Sequence, residues 1–284
     1  MVKSLVVLFE NTYNKNHPFF AIKRFIEWKI IKLFKISNYK KKIWDNKFIY
    51  LNYDSFQSMW IMYNWLVDWE EFNLIQDFIH KNDCCIDVGA NMGFYTIWFS
   101  KFSNHIYSFE PNAKNFLRLQ QNVTINSSAN YIHSFNLAVG SKNEQVSFTN
   151  NFDGENHIVL NNASNVEIVE CKRLDTILFE KNIKRISYIK IDVEGFELEV
   201  LKGLGNYLSE KNIDIIQIEL NKTILNSGST ILELLEFVSL FQYNLCSYSV
   251  SKKLLKNISY SEDRENYFLV NDIEMINKKL LLSK

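Results

Sequence analysis

Residues 188–201 read YIKIDVEGFELEVL. Tyr188, Ile189, Ile191 and Val193 are apolar and mostly β-favouring, so the stretch opens as a strand. Lys190, Asp192 and Glu194 occupy every second position, which places three charges on one face. Charges without partners are costly to bury. The chain then breaks at Gly195 and turns helical, with Glu197 in the first turn, where its charge suits the helix dipole. A strand with charges at its C-terminal end, followed by a glycine and a helix, reads as the rim of a ligand crevice.

The segments on either side repeat this plan. "CCIDVGA" is an apolar strand entering a turn, and "MGFYTIWFSKF" is helical. Strand "HIYSFEP", helix "AKNFLRLQQNV" and strand "NYIHSFNLAVG" follow. After the quoted stretch come strand "DIIQIEL", a helix over 231–242, and strands near 244–250 and 266–271. Strands alternating with helices predict βαβ units and a mostly parallel sheet. The last two strands read as a pair that places one antiparallel strand on it. Residues 145–175 read as an insertion of short strands and turns.

In such sheets ligands bind beyond the carboxyl ends of the strands. The first strand ends in "IDVGANMG", with Asp87, Gly89, Asn91 and Gly93. Glycine, and next to it asparagine, adopts the left-handed conformations a tight strand-to-helix turn requires. The second strand ends in Glu110, about 20 residues on, where a carboxylate grips ribose hydroxyls. A dinucleotide site would need GxGxxG open to a pyrophosphate. Here Asp87 crowds the turn with negative charge, which repels phosphate and suits an ammonium group. S-adenosylmethionine (SAM) carries a ribose and an α-amino group and no phosphate. Asn136 ends the third strand.

Among possible catalytic groups, Asp192 closes the quoted strand. Glu194 is one pleat on. Like-charged neighbours in a half-buried cleft raise a carboxylate's pKa, as a general base requires. Lys190 reads as structural, offsetting these acids. His157, in "DGENHIVL", is a second candidate base. Asp192, Glu194 and Glu219 together could hold Mg²⁺, but they serve equally to bind hydroxyls, and no metal is assigned.

"IDVGANMGFYTIWFSK", "SFEPNAKNFLRLQQN", "NLAVGS", "LDTIL" and "YIKIDVEGFELEVLKG" together resemble the FkbM family of SAM-dependent methyltransferases over about residues 80–225. "KIDVEGFE" is the most specific part. The resemblance implies a Rossmann-like class I methyltransferase fold, with a seven-stranded sheet whose last strand is antiparallel. It also implies O-methylation, commonly of a sugar or secondary-metabolite hydroxyl. It makes the quoted strand the fourth, its end facing the transferable methyl. Asp192 is then best placed to orient or deprotonate an acceptor hydroxyl, or to face the cofactor's amino end, and Asn136 is the candidate for adenine. Alternatives are an NAD(P)-dependent sugar oxidoreductase, which lacks GxGxxG and an obvious Tyr-x-x-x-Lys dyad, and a non-catalytic adaptor of a glycan-assembly complex.

Composition bounds the rest. The 284 residues are 47% hydrophobic and 23% charged, ordinary for a globular protein. The net charge is zero, yet residues 1–50 hold eleven Lys and Arg against three Asp and Glu. That asymmetry points to an anionic partner for this end and argues against nucleic acid binding by the main body. A helix over 18–36 opens at Pro18, with an apolar stripe of Phe19, Ile22, Ile26, Ile30 and Leu33. Two placements are open: in an anionic membrane interface, through about residues 18–45, or docked on its own domain. Residues 1–75 read as a basic, aromatic-rich helical extension and 76–284 as the methyltransferase domain. Cys84, Cys85, Cys171 and Cys246 form no CxxC pair and read as free thiols, and no apolar run approaches a membrane span. The expectation is a cytoplasmic protein, peripheral at most at the inner membrane face, with a sugar or glycolipid acceptor.

Overall fold

The computed structural model describes residues 8–9, 12–65, 68–149, 157–159 and 166–282. Its centre is a sheet of eight strands. β3 (Cys84–Val88), β4 (His105–Phe109), β5 (Ile132–Phe135), β10 (Ile186–Ile191) and β11 (Ile213–Glu219) run parallel in the order β11-β10-β3-β4-β5. β14 (Asn266–Val270) joins antiparallel to β11, and β12 (Asn244–Ser249) antiparallel to β14. These seven strands have the expected class I methyltransferase arrangement. The expected strand count is corrected by one. β13 (Leu254–Asn257), within the loop joining the last pair, adds an eighth strand at the edge, antiparallel to β12.

β10 and β11 are buried almost throughout. Helices cover both faces of the sheet, so these strands are nearly continuous apolar runs. On one face Leu174, Ile177, Val200, Leu201, Leu234 and Val238 pack on Ile189, Ile191, Ile216 and Ile218. On the other, helices Trp69–Phe78, Phe94–Phe99 and Ala113–Ile125 form a larger core.

Residues from before position 66 belong to this second core: Ala21, Phe25, Trp28, Ile31, Ile49, Ile61 and Met62 are all buried in it. The division expected near residue 75 falls inside the helix Trp69–Phe78. β1 (Tyr39–Trp44) and β2 (Lys47–Leu51) form a hairpin. Phe48 and Tyr50 donate their N–H groups to Asn126 (2.8 Å) and Asn122 (2.7 Å) of or beside the helix Ala113–Ile125. Trp44 closes an aromatic cluster with Phe72, Phe94 and Trp98.

Helix Pro18–Leu33 docks on the domain through Ala21, Arg24, Phe25, Trp28 and Ile31. The stripe singled out in the sequence, Phe19, Ile22, Ile26, Ile30 and Leu33, is the exposed face instead. Arg24 reads as polar yet is buried: its Nε donates to the Met62 carbonyl (3.2 Å), and its ring-facing guanidinium lies 5.1 Å from the Trp65 ring centre. No helix of the described residues is long and apolar enough to cross a membrane.

The insertion forms a second sheet. β6 (Ala138–Val139), β7 (Glu144–Thr149), β8 (Ile158–Val159) and β9 (Val166–Lys172) lie in the order β6-β9-β7-β8. Phe148 and Ile158 of this sheet pack with Phe196, within the quoted stretch.

Candidate active site

The glycine turn after β3 has no room for side chains. Gly89 sits at φ +79°, and a Cβ there would lie 1.8 Å from the Asp192 carbonyl oxygen. The loops after β3 and β10 therefore cross in direct backbone contact, tied by the Asp192 N–H to the Val88 carbonyl (3.1 Å). Gly93, at φ +89°, starts the next helix against Leu119. Asn91 takes the left-handed conformation, φ 50°, as its residue type predicts.

That turn holds Glu110. The Asn91 N–H donates to one carboxylate oxygen (2.7 Å) and the Asn112 N–H to the other (2.9 Å). Each oxygen keeps a lone pair for a further donor. Burial pushes the Glu110 pKa up to about 7, against the pull of the two N–H groups. Asp87 is fully buried. Its Oδ2 accepts from Thr96 Oγ1 (2.6 Å), and its Oδ1 has no hydrogen-bond partner among the described residues. Lys190 Nζ lies 3.9 Å from it.

The charged end of β10 is organised around Lys190. Its Nζ bonds Asp192 Oδ2 at 2.9 Å and sits 4.9 Å from the Tyr95 ring centre. Burial alone would lower the Lys190 pKa, but the Asp192 and Asp87 carboxylates raise it above the ordinary value, so it is a fixed ammonium. Asp192, Glu194 and Glu219 bring carboxylate oxygens within 4.8 Å of one another. The raised pKa expected of Asp192 falls elsewhere. Burial would raise it, yet the Lys190 charge outweighs burial and the net shift is down. The proton is held on Glu219, pushed up to about 10 by burial and by the Asp192 charge. Glu197 closes the turn rather than only facing the helix dipole: it accepts from the N–H groups of Gly195 (3.0 Å) and Val193 (3.3 Å). Three oxygen donors suit a hard cation such as Mg²⁺ and equally suit hydroxyl groups, and Lys190 already holds one oxygen of Asp192.

Glu110, Asp87, Lys190, Asp192, Glu194 and Glu219 open on one cavity of about 1560 Å³. It brings together Asp87, Gly89, Asn91, Glu110, Asp192 and Glu194 of the residues singled out in the sequence. Gly93 shapes the turn from behind. Asn136 is exposed and turned away, its Nδ2 bonded to the carbonyls of Glu110 and Pro111 (both 2.9 Å), while Leu137 and Ala138 line the cavity in its place. His157 exchanges hydrogen bonds with Thr149 at the end of β7 and is not among the lining residues described.

Other lining residues escaped the sequence reading. Gln217, on β11, links two tyrosines: its Nε2 donates to Tyr95 Oη (3.1 Å), and its Oε1 accepts from Tyr188 (2.8 Å). Tyr95 donates to Asp68 (2.8 Å), which ties the helix Trp69–Phe78 to the cavity wall. Trp60, Trp65 and Trp69 complete the side contributed by the N-terminal region. Their abundance in residues 56–80 was the available signal; no spacing rule told which of them face a ligand.

A family model, Methyltransferase FkbM domain, matches residues 87–248, more than half of the chain. The chain is 26% identical over 173 residues to the hexuronic acid methyltransferase AglP of Haloferax volcanii, covering 58% of this chain and 67% of that protein. It is 27% identical over 168 residues to Methyltransferase 1 of Beauveria bassiana, covering 46% and 68%. Among solved structures, Methyltransferase FkbM from Methylobacillus flagellatus aligns with a TM-score of 0.45 at 18% identity. That alignment covers 66% of this chain and 43% of the other, so the chain spans less than half of that protein's length. The chain belongs to the FkbM methyltransferase family and is a methyltransferase.

Proposed function

We propose that the protein transfers the methyl group of SAM to a hydroxyl of a sugar, in a surface glycan or glycolipid precursor. The observation that carries the reading is the junction of the Glu110 cradle with the Asp192–Lys190–Glu219 cluster in one cavity. The residues fit SAM. Glu110 has two oxygens, each with a lone pair for a ribose hydroxyl. Asp87 Oδ1, which accepts no hydrogen bond among the described residues and has the Lys190 ammonium 3.9 Å away, and the acid-rich rim suit an ammonium group, and the backbone crossing at Gly89 leaves a surface without side chains. SAM supplies a methyl group on a sulfonium, transferred to an attacking oxygen with loss of the acceptor's proton.

The chain's part is to hold the acceptor and take that proton. Asp192 is anionic beside Lys190 and orients the hydroxyl; Glu194, half-buried beside it, accepts a hydrogen bond or the proton. Glu219 holds a proton and donates to Asp192 or to an acceptor oxygen. AglP is named for a hexuronic acid, which supports a sugar acceptor here. The oxidoreductase alternative finds no phosphate cradle, because Asp87 lies beneath the turn where a pyrophosphate would need bare amides.

The acceptor's lipid end has a matching surface. Seven exposed lysines, Lys15, Lys23, Lys29, Lys32, Lys35, Lys40 and Lys42, surround the exposed stripe of helix Pro18–Leu33. Apolar residues ringed by lysine fit an anionic lipid interface. That helix starts at the cavity mouth, where Asn16 and His17 line the rim.

The test is transfer of labelled methyl from SAM to methyl glycosides. Base-stable label on the sugar, an ether, is expected; base-labile label, or none under conditions where the cofactor binds, would overturn the O-methylation. For the surface, the protein should sediment with anionic vesicles and not neutral ones, and Ile26→Asp should abolish this. Equal sedimentation of the variant would refute the lipid contact.

A further inference from the structure

The cavity has two arms of different chemistry. The cofactor arm is built by the turns after β3, β4 and β10. The other arm is built by the helices Phe56–Asn64 and Trp69–Phe78 and by the loop before β14. Residues 56–78 and 262–266 lie outside the stretch matched by the family model, 87–248. This arm is therefore built outside the matched family core.

Two features define the arm. The first is aromatic: Trp60 and Trp69 are 39% and 48% exposed while lining a cavity, which leaves ring surface uncovered. Indole rings that face a cavity offer a flat apolar platform with one N–H donor. The second is charge. Eleven Asp and Glu line the whole cavity, of which Glu71 and Glu219 hold protons at neutral pH, against two Lys or Arg among the described residues. Both cations are committed to acids: Lys190 to Asp192 and Asp87, and Arg264 to Glu70. Arg264 Nε also donates to the Asn266 carbonyl (2.6 Å). Glu262, Asp263 and Glu265 stand exposed at the rim around it.

We infer that the acceptor is a sugar ring bearing no anionic group, laid with its apolar C–H face on Trp60 and Trp69 and its hydroxyls toward the acids. The inference rests on the methyltransferase reading and deepens it. Carboxylates accept hydrogen bonds from neutral hydroxyls, whereas a uronic acid's carboxylate would enter a cavity of net negative charge with no uncommitted Lys or Arg among the described lining residues to meet it. Like charges facing across a binding surface are a strong means of rejection.

The experiment is saturation-transfer NMR titration of the full chain, saturated with S-adenosylhomocysteine. The probes are the methyl pyranosides of glucose, galactose and mannose, each beside its 6-carboxylate. At least one neutral glycoside should bind, with its ring C–H protons saturated, and its uronate should bind at least about tenfold more weakly, a gap that narrows with salt as the repulsion is screened. Trp60→Ala or Trp69→Ala should weaken the neutral sugar about tenfold and leave S-adenosylhomocysteine affinity unchanged. The exposed triple variant Glu262→Gln, Asp263→Asn, Glu265→Gln should improve uronate binding. A uronate that binds as well as its neutral partner, tryptophan variants with unaltered affinity, or no neutral glycoside binding to the cofactor-loaded protein would each overturn the assignment. Failure of S-adenosylhomocysteine itself to bind would instead overturn the cofactor reading on which it stands.

Discussion

Replacing Lys190 with methionine removes the one ammonium that two carboxylates at the end of β10 share. Its Nζ lies 2.9 Å from Asp192 and 3.9 Å from Asp87. At an effective dielectric of about 20 these separations correspond to about 6 and about 4 kcal/mol of gross attraction. Desolvation of the three groups cancels most of that. Breaking a buried pair by removing one partner costs about 3–5 kcal/mol, and Asp192, with its side chain 37% exposed, places this case at about 2–4 kcal/mol. The loss must depend on pH. Without the lysine, Asp87 and Asp192 are desolvated acids with raised pKa values, so the folded variant binds more protons than the unfolded chain. Stability of the variant therefore falls as pH rises through the interval between the two states' pKa values. Urea denaturation of wild type and Lys190→Met at about pH 5.5 and pH 8.5 measures this. The gap between the two proteins should widen from the lower pH to the higher. A gap that is independent of pH, or below about 1 kcal/mol at the higher pH, would refute the role assigned to Lys190.

Three further outcomes are expected. Gly89→Ala places a Cβ 1.8 Å from the Asp192 carbonyl oxygen at φ +79°; the conformation alone costs roughly 1–2 kcal/mol, so a lowered melting temperature and lost S-adenosylhomocysteine binding are expected, and an unaltered melting temperature would contradict the backbone crossing. Glu71, Glu110, Glu197 and Glu219 are raised to about 8, 7, 7 and 10, each chiefly by burial. Above their ordinary values of about 4.3 the folded chain keeps protons that the unfolded chain releases, so the melting temperature at pH 9 should lie below that at pH 6, and a rise would contradict the assigned burial. Thr230→Ala removes the capping box of the helix Ile231–Ser239; a loss of about 1 kcal/mol with unchanged cofactor affinity is expected in denaturation and calorimetry.

The parts of the fold that were legible in the sequence are those where local pattern and burial agree. β3, β10 and β11 are apolar runs bounded by turns, and Gly89, Asn91 and Gly93 sit in the left-handed conformations their types allow. Where a long-range partner decides, the sequence misled. Apolar residues surround the helix Pro18–Leu33, so periodicity allowed two faces; Asn14 and the Met62 carbonyl settle Arg24 inward, and the tidier stripe faces out. Three consecutive lysines masked β1, whose Lys41 is paired with Glu27. β13 is four residues in a polar loop.

The site divides the same way. Asp87, Glu110 and Asp192 each end a strand, and position alone marks them. Lys190 holds Asp192, two residues on, anionic, so the proton sits across the strands on Glu219, a pairing with no local signature. Asn136 and His157 stand near the expected places in the chain, but the Asn136 side chain bonds locally to the carbonyls at 110–111, and the His157 backbone is tied to Thr149 at the end of β7, off the cavity lining described. Trp60, Trp69 and Arg264 reach the cavity from segments far apart in sequence, which no local spacing encodes.

The central claim is that the turns after β3 and β4 hold SAM by its ribose. Calorimetric titration with S-adenosylhomocysteine, beside NADH, of wild type and Glu110→Ala tests it most directly. Glu110 would contribute hydrogen bonds to charged oxygen worth roughly 1.5–3 kcal/mol each. The account predicts that wild type binds S-adenosylhomocysteine and not NADH, and that the variant binds it about tenfold to a hundredfold more weakly. Equal affinity of the variant would remove the ribose from Glu110, and binding of NADH in place of S-adenosylhomocysteine would contradict the account at its root.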